Sequence, residues 1–226
     1  MNLLKNAHQS WIPLLHSLAY EEPMVKFLDS LREKSIQPKM SQIFKVFEMP
    51  VEDIKVVILG QRPYPMPGTA VGRAFAVPQD TKMPTMLQRI AEELGIRKKK
   101  QWQTLDHWTE QGVFLLNTSL TIETDATSHS EEWRHFISTV ITFISQENPC
   151  IWMIWTENAK NMSRKIQNPL EVVQYDDSQV DEIPLDPKLN YTVTGDHPVT
   201  GKGFSKDGFK RVNQLLERRS ITSISW

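Results

Sequence analysis

Cysteine is almost absent: Cys150, within the apolar stretch PCIWMIW, is the one thiol in 226 residues. A lone cysteine forms no internal disulfide, so the composition points to a reducing, cytoplasmic setting. No Cys/His spacing of the metal-binding kind occurs, so neither a zinc nor an iron–sulfur site is expected, and no cofactor. Long apolar runs are missing too, and none approaches the ~20 residues that span a bilayer. The opening MNLLKNAHQS lacks the apolar core of a signal peptide, so no membrane association is expected. Charge of one sign is also lacking, since 26 basic and 27 acidic side chains leave a net charge of -1. That excludes a globally basic nucleic-acid binder. It leaves room for a local basic face, because phosphate contacts are local. No internal repeat or low-complexity segment is present.

What the chain does contain is the makings of one ordinary core. Hydrophobic residues make up 39% and charged residues 23%, the balance of a globular protein, and residues 1–226 read as one domain that acts as a monomer. Residues 11–32 carry apolar side chains at helical spacing, predicting one or two helices broken near Pro23. Residues 84–94, 103–111, 133–145, 158–166 and 205–218 predict further helices, with Pro84 at a helix start. Short apolar runs at 55–59, 113–116 and 151–155 predict buried strands, and 189–194 a weaker fourth. Strands alternating with helices imply an α/β fold, a three-layer sandwich around a central, mostly parallel, four-stranded sheet.

The informative stretch is KVVILGQRPYPMPGTAVGRAFAVP, residues 55–78. A buried strand ends at Gly60, and Pro63, Pro65, Pro67 and Gly68 then fix a rigid, non-helical loop. The carboxyl end of a strand in an open α/β sheet is where ligands bind. Gln61, Asn117 and His197 each follow a predicted strand and so converge at one edge of the sheet. Singly, these residues also fit plain roles: Asn117 as a cap after a strand, Phe75 and Tyr64 as core, His197 as a structural histidine.

Three motifs in order carry a resemblance. GQRPYP followed by GTAVGRAFAVP resembles the GQDPYH loop and GxAxGLAFSV-like segment of the main uracil-DNA glycosylase family. FLLNTSLTI, residues 114–122, resembles that family's LLLNxxLTV strand. DHPVTGKGFSKDGFKRVNQLLERRSITSISW, residues 196–226, resembles its HPSPLS loop, its GFFGxxHFxxxN helix and its terminal I-x-W. The resemblance implies a DNA glycosylase that hydrolyses the N-glycosidic bond of a flipped-out pyrimidine in single- or double-stranded DNA. It implies that Asn117 pairs with the base's O4 and N3–H, that Phe75 stacks under the ring, and that Tyr64 abuts C5. His197 is implied to hydrogen-bond O2 as negative charge develops there. Gln61, in the same loop, is expected among the base-binding residues. Pro84 and Thr85 match the family's phosphate-binding PPSL segment, and Thr200, Gly201, Lys202 and Lys206 fall in or beside its DNA-contacting loop.

The departures are as informative as the matches. Arg62 stands where the family has its water-positioning aspartate. A cation beside an oxocarbenium-like centre is anti-catalytic, by about 4 kcal/mol at ~4 Å and an effective dielectric near 20 before solvent screening. Pro65 replaces a histidine, Arg73 a leucine, and Gly201 the leucine that wedges into the base stack. Asp196, directly before His197, is not typical of the family, and is a candidate for the missing carboxylate or for neutralising Arg62. Two readings follow. One is a glycosylase acting on uracil or on a modified pyrimidine, with Arg62, Asp196 and His197 as its rewired catalytic set. The other is a non-catalytic homologue that binds DNA or docks to replication proteins. Of the basic runs, 97–100 and the set Lys202, Lys206, Lys210, Arg211, Arg218 and Arg219, the second flanks the third motif and is expected to face DNA. Six acids between Glu171 and Asp186 are expected in a surface loop away from it.

Overall fold

A computed structural model describes residues 4–97, 99–172, 177–199 and 207–226. The first helical stretch resolves into α1 (Ile12–Ala19) and α2 (Glu22–Ser30), with Pro23 inside the first turn of α2. The break therefore precedes the proline, which fits a first turn because its missing N–H is not needed there. Next come β1 (Ile36–Gln37), β2 (Val56–Gly60), α3 (Thr85–Glu93), α4 (Lys99–Trp102) and α5 (Asp106–Thr109). β3 (Val113–Asn117), β4 (Ile122–Glu123), α6 (Ser130–Glu147), β5 (Ile151–Ile154) and α7 (Glu157–Ser163) follow. β6 (Pro169–Glu171), β7 (Asn190–Thr194) and α8 (Asp207–Arg218) complete the order.

The central sheet has five strands, not four, in the order β3-β2-β5-β7-β6, and every pairing in it is parallel. The added strand is β6, at the start of the acidic segment expected to be a loop. Pro169, Leu170 and Glu171 pair with Asn190, Tyr191 and Thr192 on the open side of β7. A three-residue edge strand containing proline has no period of its own to reveal it. β1 and β4 form a separate antiparallel pair that sequence patterning did not reveal.

β2, β3 and β5 are buried along their whole length. Alternation sorts their side chains into two cores. Val57, Leu59, Phe114, Leu116, Trp152 and Ile154 face the layer of α1, α2 and α6, meeting Leu15, Leu28, Trp133 and Ile141. Val56, Ile58, Leu115, Met153 and Val193 face the layer of α3, α5 and α8, meeting Leu87, Trp108, Phe209 and Val212. That is the predicted three-layer sandwich. Each fully buried aliphatic side chain contributes about 1.5–3 kcal/mol, and the sheet between two such layers is the rigid platform from which the loops project. Among the described residues, no helix is long and apolar enough to cross a membrane.

Candidate active site

Parallel register sets the carboxyl ends of the central strands side by side. Gly60 pairs with Asn117, Leu59 with Ile154, and Ile154 with Thr194. The loop after β2 is lashed to the loop after β3, because the Gln61 carbonyl accepts from Ser119 N–H at 3.0 Å and from the Thr118 hydroxyl at 2.8 Å. The next segment returns over the sheet, with Ala74 N–H donating to the Leu115 carbonyl at 2.9 Å. Phe75 follows with φ +66°, a left-handed conformation that costs an L-residue roughly 1–2 kcal/mol. Its ring meets Trp155 at 5.6 Å between centroids. The Tyr64 hydroxyl donates to the Phe75 carbonyl at 3.4 Å, and burial pushes its phenol above the ordinary tyrosine range. Tyr64 is thus a neutral wall beside Phe75. Asn117 is buried, and its side-chain amide takes no hydrogen bond from another described residue.

On the other side of β2, Gln61, Asp196 and His197 line one cleft of about 380 Å³, with Trp155, Thr156, Glu157, Asn158 and Lys160. His197 Nδ1 accepts the Val199 N–H at 3.2 Å. A ring accepting at Nδ1 carries its proton on Nε2 when neutral. Partial burial lowers its pKa below the ordinary histidine value of 6.5, because desolvation disfavours the cation. The result is a neutral imidazole with its proton on Nε2. The four residues following β5, Trp155 to Asn158, escaped sequence reasoning although the strand-end rule that found Gln61, Asn117 and His197 applies to them equally. Thr156 is partly explained by structure alone, since its hydroxyl caps α7 by accepting the Ala159 N–H at 3.2 Å.

Comparison with known proteins places the chain in a family. Residues 47–176 match the model of the uracil DNA glycosylase superfamily. The chain is 35% identical to a uracil-DNA glycosylase of Azotobacter vinelandii, over 96% of its own length and 92% of the relative's. The chain belongs to the uracil-DNA glycosylase superfamily. A uracil-DNA glycosylase of Streptococcus uberis is 38% identical over 89% of this chain and 88% of that one. The crystal structure of mimivirus uracil-DNA glycosylase shares the fold at 23% identity, with a TM-score of 0.77, covering 100% of this chain and 89% of that one.

Within this superfamily chain, the departures have structural settings. The Arg62 side chain is exposed and turned toward the connection between β4 and α6, where its Nη1 donates to the Ala126 carbonyl at 3.4 Å. Arg62 is not among the residues lining the His197 cleft. Arg73 pairs with Asp106 at 2.7 Å and with Glu48 at 3.5 Å, so it ties α5 to the segment before β2. Pro84 and Thr85 sit at the start of α3, Pro84 as its N-cap and Thr85 exposed; neither lines the cleft. Thr200, Gly201, Lys202 and Lys206 lie outside the described residues.

The basic face expected on the last helix needs correction at two positions. Arg218 donates to the carbonyls of Val180 and Asp181, and so secures the acidic segment. Arg219 donates to the Pro149 carbonyl at 3.1 Å and lies over the Tyr191 ring at 5.6 Å. Both serve the fold. Charge counting along a helix does not reveal this, because the partners come from segments 37 and 70 residues away in sequence.

Proposed function

We propose that the chain is a monofunctional DNA glycosylase, acting as a monomer, that hydrolyses the N-glycosidic bond of a uracil or modified pyrimidine flipped out of DNA. In this reading Asp196 replaces the family's water-positioning aspartate. The observation that supports it is the shared cleft: Asp196 lines the same walls as Gln61 and His197, whereas Arg62 is directed to Ala126. Water adds its oxygen to C1′ as the C1′–N bond breaks, and the base departs as an anion. The His197 Nε2–H donates to its O2 as charge builds there, a stabilisation realised only in the transition state. The Asp196 carboxylate offsets the positive charge on the sugar and takes the proton from water. Asn117 reads the base edge, Phe75 supports the ring, and Tyr64 disfavours bulk at C5, which favours uracil over larger pyrimidines.

An exposed carboxylate exerts a screened field, so its removal is expected to slow excision by about 10–100-fold, roughly 1.4–2.8 kcal/mol. The test is abasic-site formation in excess EDTA by the wild type, Asp196→Asn and Glu157→Gln. Substrates are uracil-containing single- and double-stranded oligonucleotides and phage DNA carrying modified pyrimidines. Uracil excision slowed about 10–100-fold in Asp196→Asn and kept in Glu157→Gln supports the reading. An undiminished Asp196→Asn rate removes Asp196 from the mechanism. DNA binding without abasic sites on any substrate replaces the enzyme with a non-catalytic reader of DNA.

A further inference from the structure

A base turned out of a duplex leaves a gap that closes unless something occupies it. Architectural proteins and base-flipping enzymes fill such gaps with an apolar side chain held rigidly at the DNA surface. Glycine stands at position 201, where the motif resemblance puts such a residue, and glycine has no side chain to insert. A different residue is apolar, exposed and rigidly mounted. Met66 is 67% exposed, and it stands two residues beyond Tyr64 on the loop that leaves the carboxyl end of β2.

Exposure alone would mean little, because isolated apolar side chains are common on protein surfaces. The bracing beneath this one is the decisive observation. Pro65 and Pro67 flank Met66 and fix the backbone on both sides. The Thr69 N–H donates to the Met66 carbonyl at 3.2 Å, closing the turn. The Gly68 N–H donates to Oε1 of the buried Gln37 at 3.2 Å, which pins the turn to β1. Gly68 itself has φ +74°, a conformation glycine adopts without strain. The loop therefore holds a long, unbranched, polarisable side chain on a fixed mount. Val199, on the loop carrying His197, is also exposed, at 43%, but it is branched at Cβ and shorter.

We propose that Met66 is the wedge that enters the base stack and holds the target nucleotide out of duplex DNA, a role resting on the glycosylase reading above. Wedging matters only where there is a stack to open, so its signature is the contrast between duplex and single strand. For Met66→Ala, single-strand excision is expected within about twofold of wild type, as for most surface changes. Duplex excision is expected to fall about tenfold or more at U·A pairs and less at U·G mismatches, where the base is already loosened. Met66→Leu is expected to restore the duplex rate.

The second readout needs no chemistry. A 2-aminopurine placed beside uracil in a duplex brightens when its neighbour is flipped out. Wild-type protein is expected to brighten it, and Met66→Ala to bind the duplex without doing so. Equal effects of Met66→Ala on single and double strands overturn the proposal, as does a duplex-selective loss in Val199→Ala in its place. If the wild type excises uracil from neither substrate, the glycosylase reading fails by itself. The fluorescence then decides the wedge: brightening lost in Met66→Ala upholds it, and no brightening with the wild type rejects it.

Discussion

Gly60 and Asn117 are register partners on neighbouring parallel strands, and a Cβ added to Gly60 would collide with Asn117 Oδ1 and lie 2.8 Å from the Ala74 Cβ. The glycine that ends β2 is therefore the space in which the Asn117 amide, the proposed reader of the base edge, sits. Gly60→Ala is expected to displace Asn117 and to destabilise the fold by about 1–3 kcal/mol, the usual cost of overpacking. Thermal unfolding alongside uracil excision checks this. Excision should fall well beyond what the loss of folded protein explains.

In the proposed mechanism His197 is expected to set a pH limit. Its ring is held neutral because partial burial lowers its pKa from 6.5. Excision should be level through neutral pH and decline on the acid side as the ring protonates and Nδ1 can no longer accept from Val199. The linkage has the same sign. The folded ring binds its proton less readily than the unfolded one, so stability falls as pH drops from the unfolded value through the lowered folded value. A pH series of excision rates, with His197→Gln as the variant that keeps a donor but does not titrate, checks this; the part of the acid limb set by the imidazole should vanish in the variant, leaving only the decline at lower pH as carboxylates protonate.

Arg62 offers a rescue experiment. Its side chain is exposed and makes one long hydrogen bond, to Ala126, so Arg62→Ala should change stability by less than about 0.5 kcal/mol. Arg62→Asp should raise uracil excision about tenfold, since it puts a short carboxylate at the family's position in place of a side chain that reaches away from the cleft. Introduced into Asp196→Asn, it should recover most of the lost rate. Single-turnover kinetics on a uracil oligonucleotide measure both effects.

Asn190 carries the sheet on which the site stands. It is fully buried, accepts from Cys150 N–H at 3.1 Å and Trp152 Nε1–H at 2.9 Å, and donates to the carbonyls of Ser145 and Gln167, each at 2.8 Å. One amide thus joins the start of β5, the end of α6 and the approach to β6. Asn190→Leu should cost on the order of 3–5 kcal/mol, because it strands several buried polar partners at once. A urea unfolding curve should show the midpoint shift.

The layered α/β fold and the family motifs are legible in the chain's apolar pattern and loop residues. Strands buried on both faces must be written as continuous apolar runs, as in VVIL and VFLL, and the motif residues at their carboxyl ends, the prolines, amides and histidine at 61–65, 117 and 197, can be read directly from the chain. Tertiary structure alone decided the rest. β6 exists because β7 presents an open edge for Pro169–Glu171 to join, and three residues carry no period. Arg62 turns away from the cleft because the Ala126 carbonyl, 64 residues on in sequence, lies within its reach. Arg218 and Arg219 support the fold because carbonyls of the acidic segment and of Pro149 come within range. Composition and spacing encode which groups a chain carries and which of its faces must be buried. Where a long charged side chain ends up depends on partners brought close only by folding.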